Sequence, residues 1–349
     1  MTDRRYSNDA LLEFTHSLFS AAGLEDDKAA AVATYLVEAD MMGHSTHGLA
    51  LAGWYLQSIA DDIMTKTGTF EIISDRGASV CWNGNRLPGA WLTSEAVKLA
   101  VDRADEFGTA TVVIGNSHHI GALATYLPIA TEKGMLVSIA SSSPSGAQVA
   151  PFGGLKGVYT PDPVAHGIPT PDGPILIDIS ASITTVNMAQ RLIRDGRQYE
   201  ADWLMDAKGN PSCDPKVLEA GGTLLPTGGI DHGQKGYGMA LIAEALTQGL
   251  AGYGRADAPK GTSAAVTVQV WYPDAFGGNG AFLRQTGWLA DACRANPPRP
   301  GVSKVRLPGD AAMARKRAAM ETGVVLYAGI MDSLLPHAER LGVVVPRRL

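Results

Sequence analysis

The chain has 349 residues, 45 % of them hydrophobic and 18 % charged, with 40 glycines; this excludes a disordered chain and predicts two globular domains with interleaved segments. A net charge of −6 excludes the basic footprint of a nucleic-acid-binding protein and a polybasic membrane patch. No apolar run approaches the roughly 20 residues of a membrane helix, no signal-peptide core follows the charged opening MTDRRYSNDALLEF, and the scattered Cys81, Cys213 and Cys293 fit a reducing cytoplasm.

Leu11, Phe14 and Leu18 recur at helical spacing, with Ser7 or Asn8 as cap and Gly23 as stop. A second helix is predicted over 26–42, with Val32, Leu36 and Ala39 inward and Gly43 ending it; a third runs from Leu49 towards Ile59. Between these two lies GHSTHG (43–48), where Ser45 or Thr46 is the expected cap of the third helix and His47 sits in or beside its first turn. FEIIS and SVCW follow as short strands, then a helix over 90–107 ended by Gly108. Strand TATVVIG, the segment NSHHIG, a helix over 122–133 kinked at Pro128, and strand MLVSIAS predict one strand–helix–strand unit. Loops lead to strand ILIDIS, a helix over 184–194 and a hairpin-like DAKGNP. LLPTGGIDHGQKGYG opens a helix to Leu250; strand AVTVQVW, a helix over 281–293, the loop NPPRPG and a helical tail complete the chain. This mixed order predicts an α+β fold with a mixed sheet surrounded by helices, not a doubly wound one.

Four segments carry candidate chemistry. GHSTHG is either a polar helix junction or an acid–base centre: histidine titrates near neutrality, the positive end of a helix lowers its pKa, and Asp40 is placed to oppose that shift. NSHHIG is either a solvated loop or a ligand site at the end of a strand. GGIDHGQKGYG, with Lys235 before a helix, suits an anion such as phosphate, or is a plain loop with Gly236 near the helix start; it is neither a Walker loop nor GxGxxG. In PILIDISAS, Asp178 ends an apolar strand and must be paired or meet a ligand, as a helix cap or a ribose contact. A metal site is not expected from His44, His47, His118 and His119, because HExxH and clustered cysteines are missing.

The ordered set EADMMGHSTHGL, NSHHIG with its later tyrosine, APFGGLKG, DIS, DAKGNPSCDP and KGYGMALIAEALTQGLAG resembles the type 2 malate/L-lactate dehydrogenase family over about residues 38–309. The resemblance implies a non-Rossmann, NAD(P)-binding α+β fold of the sulfolactate dehydrogenase-like type, a homodimer, and reduction of 2-oxo acids or oxidation of 2-hydroxy acids. It makes His47 the proton donor or acceptor, with Thr46 in place of the family's serine and His119 as a pocket residue. Cofactor-binding positions follow at Ile175, Asp178, Ser180, Lys235, Gly236, Gly309 and Asp310; Asn116 belongs to a matched motif, and His44 and Arg191 are further substrate-side candidates. Residues 1–115 with 295–349 then form a mainly helical, substrate-side domain, and 116–294 the cofactor-binding domain.

Two departures bear on the substrate. Leu51 stands where many members carry an arginine for the substrate carboxylate, leaving Arg191 and Arg194 as replacements. TPDP (160–163) replaces a Gly-Thr-Asn-Pro stretch. The expected activity is hydride transfer between NAD or NADP and a small carboxylic acid of the malate or lactate type. Alternatives are a cyclic imino acid (piperideine- or pyrroline-2-carboxylate) reductase, a histidine-metal hydrolase or lyase, and a non-catalytic binding protein of the same fold.

Overall fold

The computed structural model describes residues 5–349; the first four residues of the expected 1–115 segment lie outside that range. Segments rich in β-branched residues pair at the centre of a seven-stranded mixed sheet. Its order is Glu71–Asp75, Ser79–Asn83, Thr109–Ser117, Ala264–Trp271, Leu136–Ser142, Val164–Ile168, Ile175–Ile179. Neighbours are antiparallel except Ser79–Asn83 with Thr109–Ser117, which is parallel. Val112, Ile114, Val137, Ile139, Val266 and Val268 are fully buried where these strands meet. Helix Gly89–Phe107 crosses Thr109–Ser117 and Ala264–Trp271, burying Leu92, Ala96 and Ala100 against them.

A second core is helical. Leu11, Phe14 and Leu18 of Asn8–Ala21 and Val32 and Leu36 of Asp26–Met42 share it with Leu334 and Ala338 of Ile330–Leu341. Arg5–Tyr6 pairs with Val324–Val325, so early and late parts of the chain close one layer. A third cluster joins Tyr159, Leu204, Leu224 and Ala240, beside a three-stranded sheet of Thr223–Leu224, Leu204–Met205 and Pro211–Ser212. The DAKGNP segment is the turn between the last two of these strands. Among the described residues no helix is long and apolar enough to cross a membrane.

The architecture is the α+β, mixed-sheet arrangement expected, with local differences. The two strands of the expected strand–helix–strand unit run in the same direction, but Ala264–Trp271 inserts between them and pairs with both. The helix expected over 122–133 is a 3-10 turn, Leu123–Tyr126, followed by the four-residue helix Pro128–Thr131. Proline lacks an N–H and fits the first turn of a helix, so Pro128 begins a helix instead of kinking one. Residues 115 and 116, the expected domain boundary, lie inside the strand Thr109–Ser117.

Ile139 is fully buried in a strand paired on both sides. Ile139→Ala should cost about 2–5 kcal/mol of unfolding free energy, read from the midpoint of a denaturant titration at unchanged slope.

Candidate active site

Helix Asp26–Met42 ends at Gly43, whose φ of +89° turns the chain back. His44 N–H then donates to Ala39 O at 2.8 Å, and His47 N–H to His44 O at 2.8 Å. The expected cap from Ser45 or Thr46 comes instead from Asp40 in the preceding helix, whose Oδ2 accepts the Leu49 N–H at 2.7 Å. Gly48 fits directly beneath this carboxylate: a Cβ there would come within 2.4 Å of Oδ2. Burial pushes the Asp40 carboxyl up to about 7, while the Leu49 N–H and Arg191 act against the rise.

Arg191 grips the other end of the same turn. Its Nη1 donates to Ser45 Oγ at 3.0 Å and its Nη2 to Ser45 O at 2.6 Å. Its guanidinium lies 3.9 Å over the Tyr327 ring. The four-residue stretch from Ser45 to Gly48 is thereby fixed at both ends by buried charged groups.

His47 and His119 face each other, ring centroids 6.1 Å apart and planes 23° from parallel. His47 Nδ1 is 2.8 Å from Thr46 Oγ1. Desolvation, then His44 and Arg191, push His47 down to about 4; the lowering expected from sequence has burial as its cause, and Asp40 is occupied by Leu49. His119 Nδ1 accepts the Gly121 N–H at 3.2 Å, so it carries no proton, and the Tyr55 hydroxyl reaches it at 2.6 Å. The ring proton therefore sits on Nε2. Burial, with His47 and His118 adding to it, pushes His119 down to about 3, so both rings are neutral at ordinary pH.

These rings open on a cavity of about 690 Å³. His44, Thr46, His47, His119, Asp178 and Ser180 all line it. Asp178 also accepts the Ala124 N–H at 2.9 Å, so one carboxylate both lines the cavity and holds the 123–126 turn. Burial raises its pKa, opposed by His44 and the Ala124 and Leu123 N–H groups. The other candidate positions lie behind this surface. Ile175 is buried in its strand, and Gly309 packs on Leu176 so closely that a Cβ would sit 2.9 Å from its nitrogen. Asp310 accepts from Leu307 N–H at 2.9 Å and pairs with Arg294 at 3.0 Å. Gly236 lets its helix meet the chain at Ala181 and Thr227, where a Cβ would come within 2.4 Å of Ala181 O. Lys235 is exposed outside the lining. Asn116 donates to Asn83 Oδ1 at 3.1 Å, and Leu51 is buried in the helical core. His118 is buried outside the lining, its ring edge-on to Tyr55 at 5.2 Å. No three His, Cys, Asp or Glu side chains among the described residues converge as metal ligands.

Two imidazoles facing each other beside a cavity of this size, on a mixed α+β sheet, have the makings of an acid–base site. The malate/L-lactate dehydrogenase family profile matches residues 6–335. The chain is 25 % identical over 348 residues to malate dehydrogenase of Pyrococcus horikoshii, covering 97 % of this chain and 96 % of that protein. Its fold superposes on malate dehydrogenase of Entamoeba histolytica with a TM-score of 0.93, at 22 % identity, covering 99 % of this chain and 100 % of that one. It also superposes on delta1-piperideine-2-carboxylate reductase of Pseudomonas syringae pv. tomato, TM-score 0.83 at 25 % identity, covering 96 % and 99 %. The chain belongs to the malate/L-lactate dehydrogenase family, and with it to the oxidoreductases.

Tyr55, Asn187 and the Thr184–Thr185 pair were not singled out in the sequence. Tyr55 left a signal there, a hydroxyl eight residues after His47 on the buried face of the helix Ala52–Ala60. Thr185 caps helix Val186–Arg194 by a local contact with Met188 N–H, whereas Asn187 Nδ2 donates to Thr46 O at 3.3 Å, a contact that only the folded chain brings about.

Removing the acceptor under the turn isolates its contribution. Asp40→Ala should destabilise by about 1–3 kcal/mol, the cost of an unpaired buried N–H, and Asp40→Asn by less because the amide oxygen still accepts. Denaturant titration of the two variants checks the order, and equal losses would count against the Leu49 contact.

Proposed function

We propose that this protein is an NAD(P)-dependent 2-hydroxy acid dehydrogenase that moves hydride between a nicotinamide cofactor and C2 of a small acid of the malate or lactate type. The observation that carries the reading is the neutral His47–His119 pair at the cavity that also holds Asp178 and Ser180. The cavity suits the cofactor on size, since ligand sites run to roughly 300–1,000 Å³, and on chemistry. Its serine and threonine hydroxyls can meet ribose and phosphate oxygens, and the first turn of helix Val186–Arg194 lines it with backbone N–H groups that favour an anion. When bound, the cofactor supplies or takes the hydride.

In oxidation, neutral His47 takes the proton of the substrate hydroxyl on Nε2, while its Nδ1–H donates to Thr46 Oγ1. His119, fixed by Tyr55 and Gly121, donates from Nε2–H to the same oxygen and stabilises charge on it. Reduction reverses these steps and needs His47 to be protonated first. Among the described residues the lining holds no lysine or arginine. The substrate carboxylate is therefore met in this reading by His44, nearby hydroxyls and the Val186–Arg194 N-terminus. Arg191 acts at one remove, through Ser45, whereas Asn116 is turned to Asn83 outside the lining. Ile175, Gly236, Gly309 and Asp310 serve the cofactor by holding the segment that carries Asp178 and Ser180.

A homodimer working in the cytoplasm completes the reading. Leu241, Ile242, Leu246 and Leu250 leave an apolar helix face exposed for a second copy. A native mass of one chain in solution would remove the dimer. A cyclic imino acid reductase is the second reading, favoured by the superposition on a piperideine-2-carboxylate reductase. Following reduced-nicotinamide absorbance with NADH and NADPH against 2-oxo acids and cyclic imino acids separates the two. Turnover of neither class would reject both.

His47→Ala should lower kcat by about 10²-fold or more; near-native turnover would exclude the role. Because burial holds His47 at about 4, the oxidation rate should keep its neutral-pH value down to roughly that pH, and reduction should quicken as the solution becomes more acidic. Profiles of kcat/KM against pH in both directions test this.

A further inference from the structure

Segments 141–146 and 160–163 form another part of the cavity wall. Within it Asp162 is 1 % exposed and held at a φ of +42°, in the left-handed region, directly before Pro163. Its Oδ1 accepts the Thr160 hydroxyl, and Thr160 Oγ1 in turn accepts the Ser143 N–H at 3.1 Å. Its Oδ2 is buried with no donor among the described residues. Glu244, at the end of helix Gln234–Glu244, is near enough for its charge to act on Asp162, and Arg255 ties it to the carbonyls of Pro144 and Gly146 in the same wall.

Glu244 already has its counter-ion. Arg255 reaches it through Nε at 3.0 Å and Nη2 at 2.7 Å, and donates from Nη1 to the carbonyls of Gly146 and Pro144. Tyr159 is a further titratable neighbour of Asp162, its own pKa raised by burial and by the Asp162 charge. One guanidinium thus serves a buried and a half-buried carboxyl. Two carboxylates facing each other can only accept hydrogen bonds, and they repel strongly in a poorly solvated wall.

We propose that Asp162 and Glu244 hold one proton between them, and that this proton keeps segments 141–146 and 160–163 in their ligand-binding shape, so that ligand affinity falls when the pair releases it in alkaline solution. Desolvation, reinforced by Glu244, pushes Asp162 up to about 8 against the pull of Thr160 and Arg255. The ligand part of the inference rests on the oxidoreductase reading; the proton pairing does not.

Asp162→Asn provides the test, because its amide offers Glu244 an N–H at every pH. The folded wild type keeps its carboxyl proton up to about pH 8, whereas the unfolded chain releases it near about 3.9. The folded state therefore binds more protons in that window, and its stability falls as pH rises through it. Wild-type Tm should drop relative to that of Asp162→Asn between about pH 5 and about pH 8. In tryptophan-fluorescence titrations with NADH and NADPH, the wild-type Kd should rise about fivefold or more from about pH 7 to about pH 9.5, and that of Asp162→Asn less than about twofold. Parallel Tm curves overturn the pairing, and matching Kd profiles overturn its effect on the ligand. If the wild type binds neither cofactor, the oxidoreductase reading fails and the Tm comparison alone decides. Should Asp162→Asn not fold, Glu244→Gln offers the same donor from the other side.

Discussion

The site depends on a carboxylate buried under a four-residue turn. Asp40 holds Leu49 N–H from below and Arg191 holds Ser45 from the side, so His47 is carried on backbone with little freedom to move. The arrangement requires glycine at 48, because any side chain there would strike the carboxylate. It also requires the helix before the turn and the helix 186–194 to meet at one place. A histidine that must reach a single oxygen gains most of its effectiveness from such fixing, since small displacements cost rate steeply.

The same burial that fixes the imidazoles determines their chemistry. Among the described residues no carboxylate sits beside His47 or His119 to keep it charged, and both are pushed towards the neutral form. A neutral His47 is ready to accept a proton, and a neutral His119 with its proton on Nε2 is ready to donate a hydrogen bond. In the proposed reaction two residues of one type take opposite tasks, set by their second partners, Thr46 for one and Tyr55 with Gly121 for the other.

Much of this was legible in the chain before folding was considered. Period-3.6 spacing placed the helices at 8–21 and 26–42, and β-branched runs placed the central strands, because local patterning decides those elements. The motif GHSTHG pointed to His47, and NSHHIG to His119. What stayed hidden depends on distant partners. No local rule says that Asp40 caps a turn nine residues later, that Ala264–Trp271 inserts between two strands more than a hundred residues earlier, or that Arg191 turns to Ser45 and Tyr327. Lys235 illustrates the opposite failure: a lysine and glycines before a helix look like an anion site in sequence, yet the lysine stands on the outside and Gly236 is needed for close packing.

The pairing of Arg5–Tyr6 with Val324–Val325, and the seat of Arg191 on Tyr327, have a consequence for how the protein is made. The helical layer opens the chain, the sheet is laid down afterwards, and the layer closes only when the segment around 324–341 emerges from the ribosome. Contacts of such long sequence separation form late. A nascent chain can therefore assemble its sheet while Arg191, already able to reach Ser45, still lacks the Tyr327 ring it rests on, and the clamp on the His47 turn is completed only when that late segment folds back.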